Sequence, residues 1–161
     1  LKEEAYDGLV LAGGHDKGMR EFLESEALQS LVADFFVKEK PVGAICHGVI
    51  LAARSKNPAT GKSVLHGYKT SCLLKSQEML AHTMTRLWLK DYYRTYPDRT
   101  VESEVRESLK SQEDFVKGPT PIHRDSADQL QHGFAVVDRH YVSARWPGDA
   151  FSFSAAFNSL L

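Results

Sequence analysis

Residues 41–49 read Pro-Val-Gly-Ala-Ile-Cys-His-Gly-Val and carry the strongest structural signal in the chain. The apolar run 42–45 predicts a buried strand, and a helical pattern follows almost at once from Gly48. Cys46 stands at the junction, with the small residues Ala44 and Gly48 two positions to either side. This spacing is typical of a nucleophile elbow, a strained strand-to-helix turn that presents its central side chain at the carboxyl edge of a sheet.

An elbow of this kind favours a reactive cysteine. The start of the following helix supplies free N–H groups and a positive end, which predicts a lowered pKa for the Cys46 thiol. A thiolate is the better nucleophile and also the form that oxidises more readily. The alternative is a buried and inert cysteine at a packed strand end. Cys72 has no comparable context and is predicted to be structural.

The sequence before the elbow predicts an α/β fold. The apolar run 9–12 indicates a second strand buried on both faces, and it ends in Gly13 and Gly14, whose backbone N–H groups could face an oxyanion. Apolar residues at helical spacing between 28 and 36 predict a helix that opens at Ser25. Alternating strands and helices with short connections predict a parallel sheet covered by helices.

Weaker signals cover the rest of the chain. They predict a strand at 67–71 and helices at 76–93 and 101–109. They also predict a hairpin of two strands, 133–137 and 141–144, and a terminal helix at 149–161. Asp149, which follows Pro-Gly, is predicted to cap the terminal helix. The polar stretch 89–131 is predicted to be an irregular insertion.

Composition excludes several classes of protein. The chain has 161 residues, which fits one domain, and Lys+Arg number 20 against Asp+Glu 21. This balance gives no electrostatic footprint for nucleic acid or an anionic membrane, and no apolar run is long enough to span a bilayer. With no secretion signal and only two cysteines, we expect a cytoplasmic protein. The chain opens on Leu1 rather than Met, and residues 1–5 look like the tail of a helix, so we expect upstream residues in the natural protein.

Four segments resemble the ThiJ/PfpI superfamily, which has the class I glutamine amidotransferase-like fold. They read Tyr-Asp-Gly-Leu-Val-Leu-Ala-Gly-Gly-His at 6–15, Ala-Ile-Cys-His-Gly at 44–48, Val-Leu-His-Gly-Tyr-Lys-Thr at 64–70 and Val-Ser-Ala-Arg-Trp-Pro-Gly-Asp at 142–149. With the long stretch 89–131, the sequence is most similar to the glyoxalase III-like and chaperone-like branch. The resemblance implies a flavodoxin-like parallel sheet sandwiched by helices, in one domain over residues 1–161 that is incomplete at its N-terminal end.

The resemblance also implies a set of site residues. In that branch a cysteine, the adjacent histidine and a later acid form a triad, which corresponds here to Cys46, His47 and Glu78. Glu78 would accept a hydrogen bond from His47 and fix the tautomer of its imidazole; the alternative is a solvated residue near a helix start. Residues that bind the substrate or its oxyanion would be Gly13, Gly14 and His15.

The activity that the resemblance implies is conversion of methylglyoxal to lactate without a metal or other cofactor. Two alternatives stay open: a PfpI-type cysteine peptidase or amidase with the same three residues, and a redox-sensing stress chaperone in which Cys46 oxidises. The implied partners are a small carbonyl substrate or a peptide and a second copy in a homodimer, with no nucleic acid or membrane. The family carries a first strand ahead of Tyr6, so we also expect a missing N-terminal segment, or a chain that replaces it.

Overall fold

The centre of the computed structural model, which describes residues 2–161, is a four-stranded sheet in the order β1-β2-β4-β3. The strands are β1 (Leu9–Leu11), β2 (Val42–Ile45), β3 (Ala135–Asp138) and β4 (Tyr141–Ala144). β1, β2 and β4 run parallel, and β3 pairs antiparallel with β4. The predicted α/β class and the predicted hairpin are therefore confirmed. Leu1, at the start of the predicted helix tail, lies outside the described residues, and Glu3–Ala5 form one turn of 3-10 helix.

Six α-helices surround this sheet in the described part of the chain. They are α1 (Met19–Glu24), α2 (Glu26–Val37), α3 (Gly48–Arg54), α4 (Lys75–Leu89), α5 (Val101–Ser108) and α6 (Ala150–Asn158). Ser25 caps α2 as predicted, accepting a hydrogen bond from the Leu28 N–H at 3.3 Å. The sequence did not predict α1. α4 ends at Leu89, short of the predicted residue 93, because Lys90 leaves the helix with a φ of +50°.

Two strand predictions need correction. Residues 67–71 form no strand; Thr70 makes only a single bridge to Phe115, since the chain meets residues 114–116 over one pair of backbone hydrogen bonds. β1, at one edge of the sheet, is not buried on both faces, because the side chain of Val10 on one of its faces is half exposed. β2, by contrast, lies between two parallel neighbours and is almost wholly buried, as its apolar run predicted.

The predicted cap of the terminal helix is wrong. The Asp149 carboxylate instead holds Arg145, whose Nε and Nη2 atoms both donate to it at 2.8 Å, and it accepts from the Phe134 N–H at 3.0 Å. Asp125 takes over the capping role and accepts from two N–H groups of the first turn of α6, at 2.6 and 3.2 Å. A fully buried guanidinium requires a charged partner, and Asp149 is the carboxylate within its reach.

The insertion 89–131 packs on the rest of the chain and holds the loop that follows β1. The Thr95 carbonyl accepts hydrogen bonds from Nε and Nη2 of Arg20, at 2.8 and 2.6 Å. The Thr95 hydroxyl donates to the carbonyl of His15 at 3.3 Å. The insertion thus ties α1 to the loop that follows β1. Its predicted short helix is confirmed as α5.

α4 presents apolar side chains to solvent. Leu80, Met84, Leu87 and Trp88 are all more than half exposed, and Leu87 reaches 86%. The helical spacing of these residues predicted the helix correctly, but within residues 2–161 nothing covers this side of it. Neither α4 nor any other helix of that range is long and apolar enough to cross a membrane.

Candidate active site

The turn between β2 and α3 has the geometry of a nucleophile elbow. Cys46 has a φ of +59°, in the left-handed region that a non-glycine residue rarely adopts. A Cβ at Gly48 would lie 2.7 Å from the Ala12 carbonyl oxygen, and one at Gly13 would lie 2.6 Å from the Cβ of Cys46. Both glycines are needed because the end of β1 packs directly on the elbow. Gly48, one of the two small residues that predicted this turn, is therefore required by the close approach of β1.

The elbow brings a thiol and two imidazoles together. Nδ1 of His47 lies 3.5 Å from Sγ of Cys46, within hydrogen-bond range for sulfur. The ring of His15 packs edge-on against that of His47, with a centroid separation of 4.8 Å, and Tyr93 packs at the same distance on His15. Three of the predicted site residues thus form one cluster, although His15 is 31 positions before Cys46 in the chain.

Burial dominates the electrostatics of this cluster. It raises the pKa of the Cys46 thiol to about 12, against a smaller opposing effect of the His47 backbone N–H that faces the sulfur. Burial, followed by the nearby His15, lowers the pKa of His47 to about 3. These directions oppose the thiolate that the helix start predicted, because loss of water around the buried thiol outweighs the helix dipole. At pH 7 the pair is a neutral thiol beside a neutral imidazole.

This protonation state predicts how the free protein reacts with iodoacetamide. The rate of alkylation at Cys46 should rise about tenfold per pH unit from pH 6 to 9, because the thiolate fraction grows tenfold per unit below the pKa. Mass spectrometry of the labelled peptide measures the rate, and a Cys46→Ala variant gives the background from Cys72. A rate that levels off at or below pH 7 would show that the helix start, and not burial, sets the pKa.

Glu78 lies in the first turn of α4 and lines the same narrow crevice as His47. Its Oε2 accepts from the Val101 N–H at 2.9 Å, and its Oε1 is 3.6 Å from Nε of Arg94. Burial raises the pKa of the Glu78 carboxyl, with Val101 and Arg94 opposing the shift. Among residues 2–161, Nε2 of His47 is buried without a hydrogen-bond partner. The structure thus places Glu78 near His47 without joining the two, and its place in a triad stays a prediction.

Two cavities reach the cluster. The smaller has a volume of about 250 Å³ and is lined by Cys46 and His15; Gly13, Gly14, Ile45, Pro147 and Ala150 complete its lining. The larger, of about 480 Å³, extends from His15 over α4 and has mostly apolar walls. Tyr93, Arg124 and Trp146 line it, and the sequence analysis predicted none of the three as a site residue. Residues 92–96 read Tyr-Tyr-Arg-Thr-Tyr, an aromatic run that from sequence favours packing of the insertion over a role in the site.

A parallel sheet with a cysteine at a strand-to-helix elbow and histidines around the sulfur defines a class of α/β proteins with a potential cysteine nucleophile. A sequence model described as ThiJ/PfpI family-like matches residues 2–119, and the chain belongs to the ThiJ/PfpI family. No curated protein matches the chain in sequence.

Solved structures of low sequence identity share the fold. The Rapid Encystment Protein 24 KDa of Francisella tularensis is 23% identical, with a TM-score of 0.68 over 100% of this chain and 61% of its own. Glyoxalase III from Candida albicans is 18% identical, with a TM-score of 0.71 over 100% of this chain and 59% of its own. A two-domain protein from Anabaena variabilis, with DJ-1/ThiJ/PfpI-like and ferritin-like domains, is 17% identical, with a TM-score of 0.58 over 99% of this chain and 31% of its own. The chain therefore spans less than two thirds of the length of these proteins.

Proposed function

We propose that this protein is a cysteine-dependent enzyme that converts methylglyoxal to lactate without a cofactor. The observation that carries the proposal is the strained elbow, which holds Sγ of Cys46 3.5 Å from the His47 imidazole, with Cys46 among the residues that line a cavity. Membership of the ThiJ/PfpI family and the likeness of fold to a glyoxalase III support the choice of reaction.

In the proposed reaction, Cys46 adds to the aldehyde carbon and forms a hemithioacetal. His47 accepts the thiol proton and passes it to the former aldehyde oxygen. The freed imidazole then takes the proton from the aldehyde carbon and returns it to the neighbouring carbonyl carbon through an enediolate. The resulting thioester is hydrolysed by one water molecule, which yields lactate and restores the thiol. Backbone N–H groups of Gly14 and His47 would stabilise the negative oxygen of each intermediate.

The neutral state of His47 suits this role. With a pKa of about 3, its imidazole is unprotonated at pH 7 and can accept a proton. The thiol, with a pKa of about 12, gives up its proton only when the product of the transfer is stabilised. Hydrogen bonds to the bound substrate oxygen would supply that stabilisation, so we propose that activation of Cys46 is coupled to substrate binding.

The test is direct measurement of lactate from methylglyoxal in the absence of glutathione and added metal. We expect turnover by the protein as it occurs naturally, with chiral chromatography of the lactate to exclude spontaneous conversion, which gives a racemate. Failure to produce lactate above the buffer control would reject the proposal.

Glu78 is proposed as a positioning residue for His47. A Glu78→Gln variant keeps an oxygen that can accept from the Val101 N–H but loses the charge that orients the imidazole. We expect kcat for methylglyoxal to fall about 10- to 100-fold, with a changed pH profile and little change in KM. A Glu102→Gln variant, on another buried carboxylate of the region, is the control and should keep kcat within a few-fold. Unchanged kcat in Glu78→Gln together with lowered thermal stability would assign Glu78 a structural role only.

The two alternative functions stay predictions and differ from the proposal in their readouts. A PfpI-type peptidase or amidase would cleave amide substrates with the same dependence on Cys46. A stress chaperone would protect a client protein from aggregation even as Cys46→Ala, and the exposed apolar side of α4 is the feature that favours it. Four further statements stay predictions: a single domain over residues 1–161, a homodimer, a cytoplasmic location and the N-terminal segment. Light scattering tests whether the protein is a dimer.

A further inference from the structure

We propose that His15, Cys46 and His47 form a binding site for a soft divalent transition-metal ion of the Zn²⁺ class, and that the bound ion blocks the nucleophile. One ligating atom from each of the three side chains lies within 4.8 Å of the others. The inference goes beyond the proposed activity and does not depend on it, because binding can be measured without a substrate.

The geometry is close to that of a tetrahedral site. Zn–S bonds of about 2.3 Å and Zn–N bonds of about 2.0–2.1 Å place neighbouring ligand atoms about 3.3–3.6 Å apart. Sγ of Cys46 and Nδ1 of His47 are already 3.5 Å apart. The longest separation in the cluster must shrink by about 1 Å, which a small rotation of the His15 side chain in its loop can provide.

Within residues 2–161, each of the two imidazoles has a buried ring nitrogen without a hydrogen-bond partner, and both rings are unprotonated. Among the described residues, Nδ1 of His15 and Nε2 of His47 are both buried without a hydrogen-bond partner. A buried polar atom without a partner is costly, and a coordinate bond from Nδ1 of His15 would relieve that cost at this ring. His47 would coordinate through Nδ1, the nitrogen beside the sulfur. Burial lowers the pKa of both histidines, so their nitrogen lone pairs are free to coordinate at pH 7.

There is room for the ion and for a fourth ligand. The cavity of about 250 Å³ touches Cys46 and His15 and is open to solvent on one side. A water molecule in that cavity would complete a four-coordinate site. The Tyr93 ring packs against the outer face of His15 and limits how far this ligand can swing away.

The donor set selects the kind of metal. One thiolate and two imidazoles match Zn²⁺ and Co²⁺, whereas Mg²⁺ and Ca²⁺ require oxygen ligands. On binding, the Cys46 thiol releases its proton to solvent and the sulfur donates an electron pair to the ion. That electron pair is the one a nucleophile would use, so an occupied site cannot attack a carbonyl carbon or an alkylating reagent.

The first experiment titrates the metal-free protein with Co²⁺ and records absorbance. We expect one equivalent to give a thiolate-to-cobalt charge-transfer band in the near ultraviolet and the visible bands of a tetrahedral ion, both removed by one equivalent of Zn²⁺. His15→Gln should weaken Co²⁺ binding at least about tenfold, and Cys46→Ala should abolish the charge-transfer band. Circular dichroism verifies that each variant is folded.

A matched control separates this site from surface histidines. His123 and His132 lie close together outside the cluster, with ring centroids 5.3 Å apart, and the double variant His123→Gln/His132→Gln should leave the charge-transfer band unchanged.

In a second readout, Zn²⁺ should slow alkylation of Cys46 by iodoacetamide at least about tenfold, and EDTA should restore the rate. A band that survives in Cys46→Ala, a titration unaffected by His15→Gln, or alkylation insensitive to Zn²⁺ would overturn the site. A protein that binds Co²⁺ in this way yet makes no lactate would reject the proposed activity alone.

Discussion

Replacing Cys46 with serine is expected to lower kcat/KM for methylglyoxal by about 10⁴-fold or more. The hydroxyl of serine fits the elbow, so the strained turn and the cavity should persist. Its oxygen is much harder to deprotonate than the thiol, so the same His47 imidazole activates a far smaller fraction of the serine nucleophile. Lactate formed per unit time is the measurement.

The matched control for this substitution is Cys72→Ala. Cys72 is fully buried, its pKa is raised well above the usual thiol value by burial, and it lines neither cavity of the site. Removing its sulfur costs some stability but should leave kcat/KM within a few-fold. Turnover that is undiminished in Cys46→Ser would reject the role of this sulfur and with it the proposed mechanism.

Replacing Arg145 with methionine should lower the free energy of unfolding by about 3–5 kcal/mol. Arg145 and Asp149 are both fully buried and form a bidentate pair with two bonds of 2.8 Å. Without the guanidinium, the Asp149 carboxylate is left buried with no cation, and the carbonyl of Pro119 loses its donor. Urea denaturation measures the change.

Two further variants test whether loss of the buried positive charge causes the lower free energy of unfolding of Arg145→Met. Arg99→Met removes an exposed ion pair with Asp98 and a 4.0 Å contact with Glu104, which keeps its closer partner Arg54, and should change stability by no more than about 1 kcal/mol. In the double variant Arg145→Met/Asp149→Asn, the neutral amide can still accept from the Phe134 N–H, so the loss should be smaller than the sum of the two single losses. Equal losses in Arg145→Met and Arg99→Met would show that the buried pair contributes no more than a surface pair.

Local sequence patterns were sufficient to predict an element where residues adjacent in the chain determine its conformation. The apolar run 42–45, the small residues beside Cys46 and the helical spacing after Ser25 predicted β2, the elbow and α2. The hairpin of β3 and β4 was predicted for the same reason. The prediction for Asp149 failed because the sequence offered a common capping pattern but not the buried guanidinium that takes up this carboxylate.

The chain order alone determined that a cysteine follows a buried strand and precedes a helix, because strand and helix periodicity and the size of adjacent side chains act over a few residues. Tertiary structure determined everything that depends on distant residues: the meeting of His15 with Cys46 and His47, the capping of α6 by Asp125 and the edge position of β1. It also determined the charge state of the thiol. The helix start favours ionisation of Cys46 locally, but the free energy of an ion depends on all the water that the surrounding elements exclude, and that sum raises the pKa.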